Sequence, residues 1–540
     1  MRRLLIALST LALGLALGIH PAAAATPPPP TEFGTSWHDP VTAGPPVSVP
    51  HTTSCQVTVA QTEFRDYTPY RATYTPPKGC GDHWNKVVLR LDGSVAGRQY
   101  DRLGYLHIGG VEVLRTSTPE PSPKGVAWHV EKDVTRYAPT LRSAQPVEML
   151  IGNVVDATYT GVIKVKATLT FYAAEGRTRP AHTPDRVLTL GSAHSEGASY
   201  EGTLSTPRNS ERILAEVYAT GSGGGCEEFW YLAVPENAPY SCKSQDGPHR
   251  EVRVSVDGRL AGIAAPYPTV WTGGWSNPFL WYVVPGPRAF DVKPVEFDLT
   301  PFAGQLNDGK PHRISVSVAG VPKGQSGWDT PVNVLVWQDA KAAVVTGALT
   351  GHQETAPRDT ADYRAGPRHR VTAGAEHALT VSGYLKTSHG RVTTTVGRRV
   401  SDTSLHRWKD GETTDGLRAR WTDDQTVTVA GRGPATVSTA HREYRMEGVT
   451  TVDPDNRLRT VLTMGDQADL RTMRAGKRLD WSRLDDTYAG NASYMQNVPR
   501  EQRHARGVSQ ERYRLLGPGA CYDRTLATVQ GQLTEDRRGC

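Results

Sequence analysis

The sequence predicts an all-β protein: two adjacent jelly-roll β-sandwich domains followed by a third β-rich C-terminal domain. Three observations carry this. Short segments of alternating or continuous apolar residues recur between turn signals for some 120 residues, the pattern of a sandwich or jelly roll. The pattern then begins again after a polar stretch at residues 173–186. From about Gly347 the strands continue, but the composition turns polar and threonine-rich.

The first expected domain, residues 48–175, contains Cys55-Gln-Val-Thr-Val-Ala60, Lys86-Val-Val-Leu-Arg-Leu-Asp92, Val126-Ala-Trp-His-Val-Glu131, Val147-Glu-Met-Leu-Ile-Gly152 and a long strand at 161–172. Asp92-Gly93 reads as a hairpin turn. Residues 103–110 alternate, with Leu103, Tyr105 and His107 on one face and Gly104, Leu106 and Ile108 on the other. The second domain, residues 176–345, contains strands at 212–218, 250–256, 279–284, 295–299, 312–318 and 332–337, with a second Asp-Gly pair at Asp257-Gly258. The third, residues 346–540, has strands at 377–383, 391–396, 425–430 and 457–463 and no catalytic pattern. Its mixed-sign blocks near Arg391 to Arg420 read as a solvated surface rather than a nucleic-acid stripe.

Before these lies Met1-Arg-Arg-Leu-Leu-Ile-Ala-Leu, apolar to Ile19 and closed by small residues at 22–25. That is a secretory signal peptide over residues 1–25. A proline-rich linker follows at 26–47, and the expected product is secreted and extracellular, a monomer without membrane or nucleic-acid partners. Six cysteines suit an oxidising compartment. Of fifteen possible pairings, the sequential one (Cys55 with Cys80, Cys226 with Cys242, Cys521 with Cys540) keeps each couple inside one expected domain. No C-x-x-C or H-E-x-x-H spacing is present, so no metal or other cofactor is expected. His83 near Cys80 reads as an ordinary loop histidine.

Two stretches can carry chemistry. In Gly97-Arg-Gln-Tyr-Asp-Arg102, the carboxylate of Asp101 lies between Tyr100 and Arg102, just before a strand. Such a position belongs at the rim of a sheet, where binding groups collect. A structural ion pair of Asp101 with Arg98 or Arg102 is the competing reading. In Gly221-Ser-Gly-Gly-Gly-Cys-Glu-Glu-Phe-Trp230, Glu227 and Glu228 sit beside aromatics after a glycine run. No Lys-Ser/Thr follows, so this is not a phosphate loop. A glutamate desolvated by Phe229 and Trp230 acquires a raised pKa, as general acid work requires. Trp275, in a Gly-Gly-Trp loop, offers an indole face to a sugar ring. No Gly-x-Ser-x-Gly elbow is found.

Longer motifs at 97–120 and 128–137, with Phe297-Asp-Leu-Thr-Pro301 and Leu306-Asn-Asp-Gly-Lys-Pro-His312, resemble the almond-type peptide:N-glycanase A family. The resemblance spans about residues 48–337. A more distant likeness is to the peptide:N-glycanase F family, two jelly rolls side by side. It implies that Asp101 in Tyr100-Asp101-Arg102 is the essential aspartate and that Gly225-Cys226-Glu227-Glu228 points to Glu228 as its catalytic partner. Tyr100, Arg102, Asn153, Glu227, Trp230 and Trp275 are then expected to contact substrate. A third family carboxylate aligns with Asn153, so that function is open, with Asp156 nearby. The implied activity is hydrolysis of the amide between an asparagine side chain and the innermost N-acetylglucosamine of N-glycosylated peptides. The alternatives are an endo-acting glycosidase on N-glycan cores and a non-catalytic carbohydrate-binding protein.

Overall fold

A computed structural model describes residues 28–223, 226–271 and 277–540. The signal peptide, Gly224, Gly225 and Trp275 lie outside the described residues. The chain is all-β, and its three disulfides pair in sequence order: Cys55–Cys80, Cys226–Cys242 and Cys521–Cys540.

Two four-stranded antiparallel sheets form the first sandwich. One runs Ser54–Phe64, Ile163–Ala173, Trp84–Val95, Val126–Asp133. The other runs Tyr70–Tyr74, Gln145–Ile151, Leu103–Ile108, Val111–Ser117. This interleaving of strands is that of a jelly roll. Burial along Leu103–Ile108 alternates as the sequence pattern requires. Its hairpin partner is reached through Gly109 and Gly110, both at positive φ (61° and 77°), the geometry a two-residue hairpin turn needs. The expected turn at Asp92-Gly93 does not form. The strand Trp84–Val95 passes straight through it. Gly93 is there for a different reason: a Cβ would come within 2.4 Å of the Trp128 indole lying over it. Asp257-Gly258, by contrast, does turn, at φ 49° and 81°.

The second sandwich packs a five-stranded sheet centred on His312–Ala319 against a four-stranded sheet centred on Ser210–Val217 and Val332–Gln338. Residues 279–284 are not the strand their apolar run suggests. They begin in a short 3-10 turn, Pro278–Leu280, and stay fully buried. A continuous apolar run signals burial, not conformation.

Buried charges lie where the two sandwiches meet, beside apolar contacts such as Leu103 against Tyr218, Trp271 and Val292. Arg115 is fully buried, 2.6 Å from Glu112 on its own sandwich and 2.7 Å from Asp329 on the other. Lys132 reaches Asp291 (3.3 Å), and Arg136 reaches Glu216 and Glu296 (2.5 and 2.6 Å). Lys132 and Asp291 are both largely buried, so removing either strands the other's charge at several kcal/mol, and this pair helps fix how the sandwiches sit together.

From Thr346–Glu354 to Gln532–Arg538 the chain forms one eleven-stranded antiparallel sheet, most of its strands much longer than their sequence pattern suggests; it is a meander from His369–Thr387 onward, and Thr346–Glu354 and Arg358–Arg364 share the outer edge of His369–Thr387. Its inner face packs on the second sandwich. The mixed-sign block near Arg391 to Arg420 is therefore only half solvated. Arg398 is buried in a two-point pair with Asp423 (2.7 and 2.6 Å), and His406 is buried against Asp415 (2.6 Å). Alternation placed these charges inward, where each has a partner.

Residues 28–49 run across all three units. Phe33 N–H donates to Ala505 O (2.7 Å), His38 N–H to Gly531 O (2.9 Å) and Val41 N–H to Val283 O (2.8 Å). Trp37 stacks flat on Tyr282, ring centres 4.2 Å apart.

Candidate active site

A cavity of about 1260 Å³ opens where the three units converge. Asp101, Arg102 and Tyr100 line it from the first sandwich, and Glu228 and Trp271 from the second. Glu120 lines it too, as do Tyr494, Arg500 and Arg503 from the third sheet.

Local stitching brings Asp101 and Glu120 together. Gln99 is buried and its side-chain amide donates to Val154 O and Gly161 O (2.9 and 3.1 Å), pinning the loop. Arg102 N–H donates to Thr118 Oγ1 (2.9 Å), and Thr118 N–H donates back to Arg102 O (3.0 Å). The loop that carries Asp101 is thus zipped to the strand end that leads into Glu120. That strand end is in turn held to the second sandwich by Ser117, whose N–H and hydroxyl both donate to Ala289 O (3.0 and 2.8 Å).

Glu228 comes from a 3-10 segment, Glu227–Leu232, that starts at the Cys226–Cys242 disulfide. Its two adjacent glutamates have opposite fates. Glu227 is buried, accepting from both Nε and Nη2 of fully buried Arg250 (2.8 and 2.7 Å) and from the Trp328 indole (2.5 Å). Glu228 faces the cavity. Burial first, and the charge of Asp101 second, push its carboxyl up to about 7. The same two causes, in the same order, push the more deeply buried Glu120 up to about 8. The hydrogen bond from Tyr282 and the charges of Arg500 and Arg503 work against that rise.

Four expected substrate contacts stand differently from Asp101, Glu228, Tyr100 and Arg102. Glu227 is a structural partner of Arg250. Trp230 is buried at 2 % exposure against Trp328 and Trp421, joining the second sandwich to the third sheet. Asn153 is fully buried, and its amide donates to Phe64 O and Gly161 O (2.9 and 3.1 Å). Trp275 lies outside the described residues. Asp156 supplies no third carboxylate either: it caps the N–H groups of Thr158 and Tyr159 (both 2.7 Å). The carboxyl that joins Asp101 and Glu228 at the cavity, besides the Arg115-paired Asp329, is Glu120, hidden in Thr118-Pro-Glu-Pro. Its only sequence signal is an acid between prolines inside the stretch that carries the family resemblance.

One expectation separates the adjacent glutamates. Glu227→Ala leaves Arg250 buried and uncompensated, at a cost of about 3–5 kcal/mol. Thermal denaturation should show a large loss of Tm for this variant and little change for Glu228→Gln. Equal Tm values for the two would remove the structural assignment of Glu227.

A family model described as Peptide N-acetyl-beta-D-glucosaminyl asparaginase amidase A matches residues 40–355. Peptide-N4-(N-acetyl-beta-glucosaminyl)asparagine amidase A of Prunus dulcis is 31% identical over 405 residues, covering 68% of this chain and 69% of that protein. Among solved structures, PNGF-II in its C2 crystal form matches with 14% identity and a TM-score of 0.36, over 54% of this chain and 66% of that one. The P21 form matches with 14% identity and a TM-score of 0.34, over 53% and 66%. The chain thus spans just under two thirds of the PNGF-II chain's length.

Proposed function

This chain belongs to the peptide N-acetyl-β-D-glucosaminyl asparaginase amidase A family and is a hydrolase of the amidase class; from that premise we propose that it cleaves the bond between an asparagine side chain and the first N-acetylglucosamine of N-glycosylated peptides. The observation that carries the reading is the meeting of Asp101 and Glu228, from different sandwiches, in one cavity with Glu120.

An amide resists hydrolysis because its carbonyl is a weak electrophile and its nitrogen a poor leaving group. A site must activate water and protonate the departing nitrogen. Asp101 takes the first task. It orients a water against the side-chain carbonyl carbon and accepts its proton as the new C–O bond forms. Glu228, whose pKa lies near neutrality, hands its proton to the nitrogen as the C–N bond breaks. Aspartate remains in the peptide and the sugar leaves as a glycosylamine. Glu120, protonated into the same range, donates a hydrogen bond to the bound linkage. Arg102 and Tyr100 position the substrate beside Asp101. The three disulfides suit an oxidising compartment, and with the N-terminal leader they support a secreted enzyme.

Digestion of a denatured glycopeptide, read by mass, tests this. The expected product has aspartate in place of asparagine and carries no sugar. A product retaining one N-acetylglucosamine would mean an endo-acting glycosidase. Binding without any product would mean a carbohydrate-binding protein.

A further inference from the structure

The family match ends at residue 355, yet one wall of the cavity comes from beyond it. Tyr494, Val498, Pro499, Arg500 and Arg503 all line the cavity from the connection between the strands Lys477–Met495 and Arg506–Gly517. Two of these residues are cations. Their guanidiniums rest on aromatic faces, Arg500 on Trp37 (5.1 Å) and Arg503 on Tyr494 (5.8 Å). Among the described residues, no ion pair uses either of them.

The charge of the cavity makes this arrangement informative. Asp329 is matched by Arg115 at 2.7 Å. Glu120 and Glu228 hold protons toward neutral pH. Against Asp101 stand Arg98, Arg102, Arg500 and Arg503. The glycosylated asparagine is itself uncharged, so the amide reaction does not account for the surplus. Guanidinium pairs suit carboxylates in particular, because their planar donors match the two oxygens.

Resting on the reading of the chain as a glycopeptide amidase, we propose that Arg500 and Arg503 form a subsite for a carboxylate of the substrate peptide, an acidic residue near the glycosylated asparagine. The position favours the peptide over the glycan as the source. Both arginines lie close enough to Glu120 to act on its charge, and Glu120 is beside Asp101. Carboxylates of the glycan, on terminal sialic acids, are several sugars removed from the asparagine.

The test uses the full chain and three glycopeptides: a neutral one, the same one with an aspartate near the glycosylated asparagine, and the neutral one with a sialylated glycan. The unaltered protein should show a KM about tenfold lower for the acidic peptide than for the neutral one, the worth of a charge-assisted contact. Arg500→Gln/Arg503→Gln should abolish that preference, leaving equal KM values for the acidic and neutral peptides. Arg500→Lys/Arg503→Lys, which keeps both charges, should retain part of it and controls for folding. Equal KM values for neutral and acidic peptides in the unaltered protein would overturn the subsite while leaving the amidase reading intact. So would a preference for the sialylated substrate alone. Because both charges hold the pKa of Glu120 down, the glutamine pair should also move the alkaline limb of the pH profile upward on all three substrates; that shift with the acidic-peptide preference intact would again overturn the subsite. Turnover of none of the three would overturn both readings.

Discussion

Asp101→Asn should leave the fold intact and reduce deglycosylation by about 10²–10⁴-fold, the contribution of a positioned general base. An amide side chain fills the same space and keeps some hydrogen bonding, but it cannot accept the proton of the attacking water. The loop around it is held by Gln99, Arg102 and Thr118 rather than by Asp101 alone, so circular dichroism and Tm should match the unaltered protein. A second readout is built into the electrostatics. The charge of Asp101 is one cause of the raised pKa of both Glu228 and Glu120. Removing it lowers both, so the alkaline limb of whatever activity remains should move to lower pH. Near-normal kcat in this variant would end the proposed mechanism.

The second large effect lies in a comparison of two glutamines. Glu228→Gln should lose about 10²–10⁴-fold in kcat, because glutamine has no proton to give. Glu120→Gln should lose far less near neutrality, since an amide N–H can replace a protonated carboxyl as a hydrogen-bond donor. The acid form of Glu228 declines as pH rises through about 7. kcat/KM of the unaltered protein should therefore fall on that side. If Glu120→Gln is the more damaging of the two, the proton donor is Glu120 and the limb belongs near its value of about 8. Stability supplies an independent check on Glu120. Its folded pKa lies above that of an unfolded carboxyl, so its contribution is present at low pH and is lost as pH rises toward 8. Glu120→Gln should lose less Tm than the unaltered protein between acidic and mildly alkaline pH.

Strand periodicity carries most of the fold. Leu103–Ile108 alternates in burial as its residues alternate in polarity, and the strands of both sandwiches lie close to their sequence patterns. Local signals fail where tertiary contacts compete with them. Asp92-Gly93 and Asp257-Gly258 are the same dipeptide, but the indole of Trp128 needs the bare backbone at Gly93. The site divides in the same way. Asp101 and Glu228 stand in motifs that mark them. Glu120 does not, because its burial and its proximity to Asp101 follow from the pairing of two strands. Glu227 and Trp230 carry the composition of a site but serve as internal partners. Their exposure depends on which side of one 3-10 turn faces Arg250 and Trp421. The arginines of the third wall are some 400 residues from Asp101, and nothing in their own neighbourhood marks them.

The crossing segment at residues 28–49 has a consequence for the order in which this protein can be assembled. It is synthesised some 470 residues before Ala505 and Gly531, on which it rests. Its seat does not exist until the strands around Ala505 and Gly531 have been translated, so this segment settles after the third sheet. Trp37 from that segment braces Tyr282, and Tyr282 in turn holds Glu120. Maturation of the acid group is thereby tied to a finished chain, and a nascent or truncated product would emerge without it.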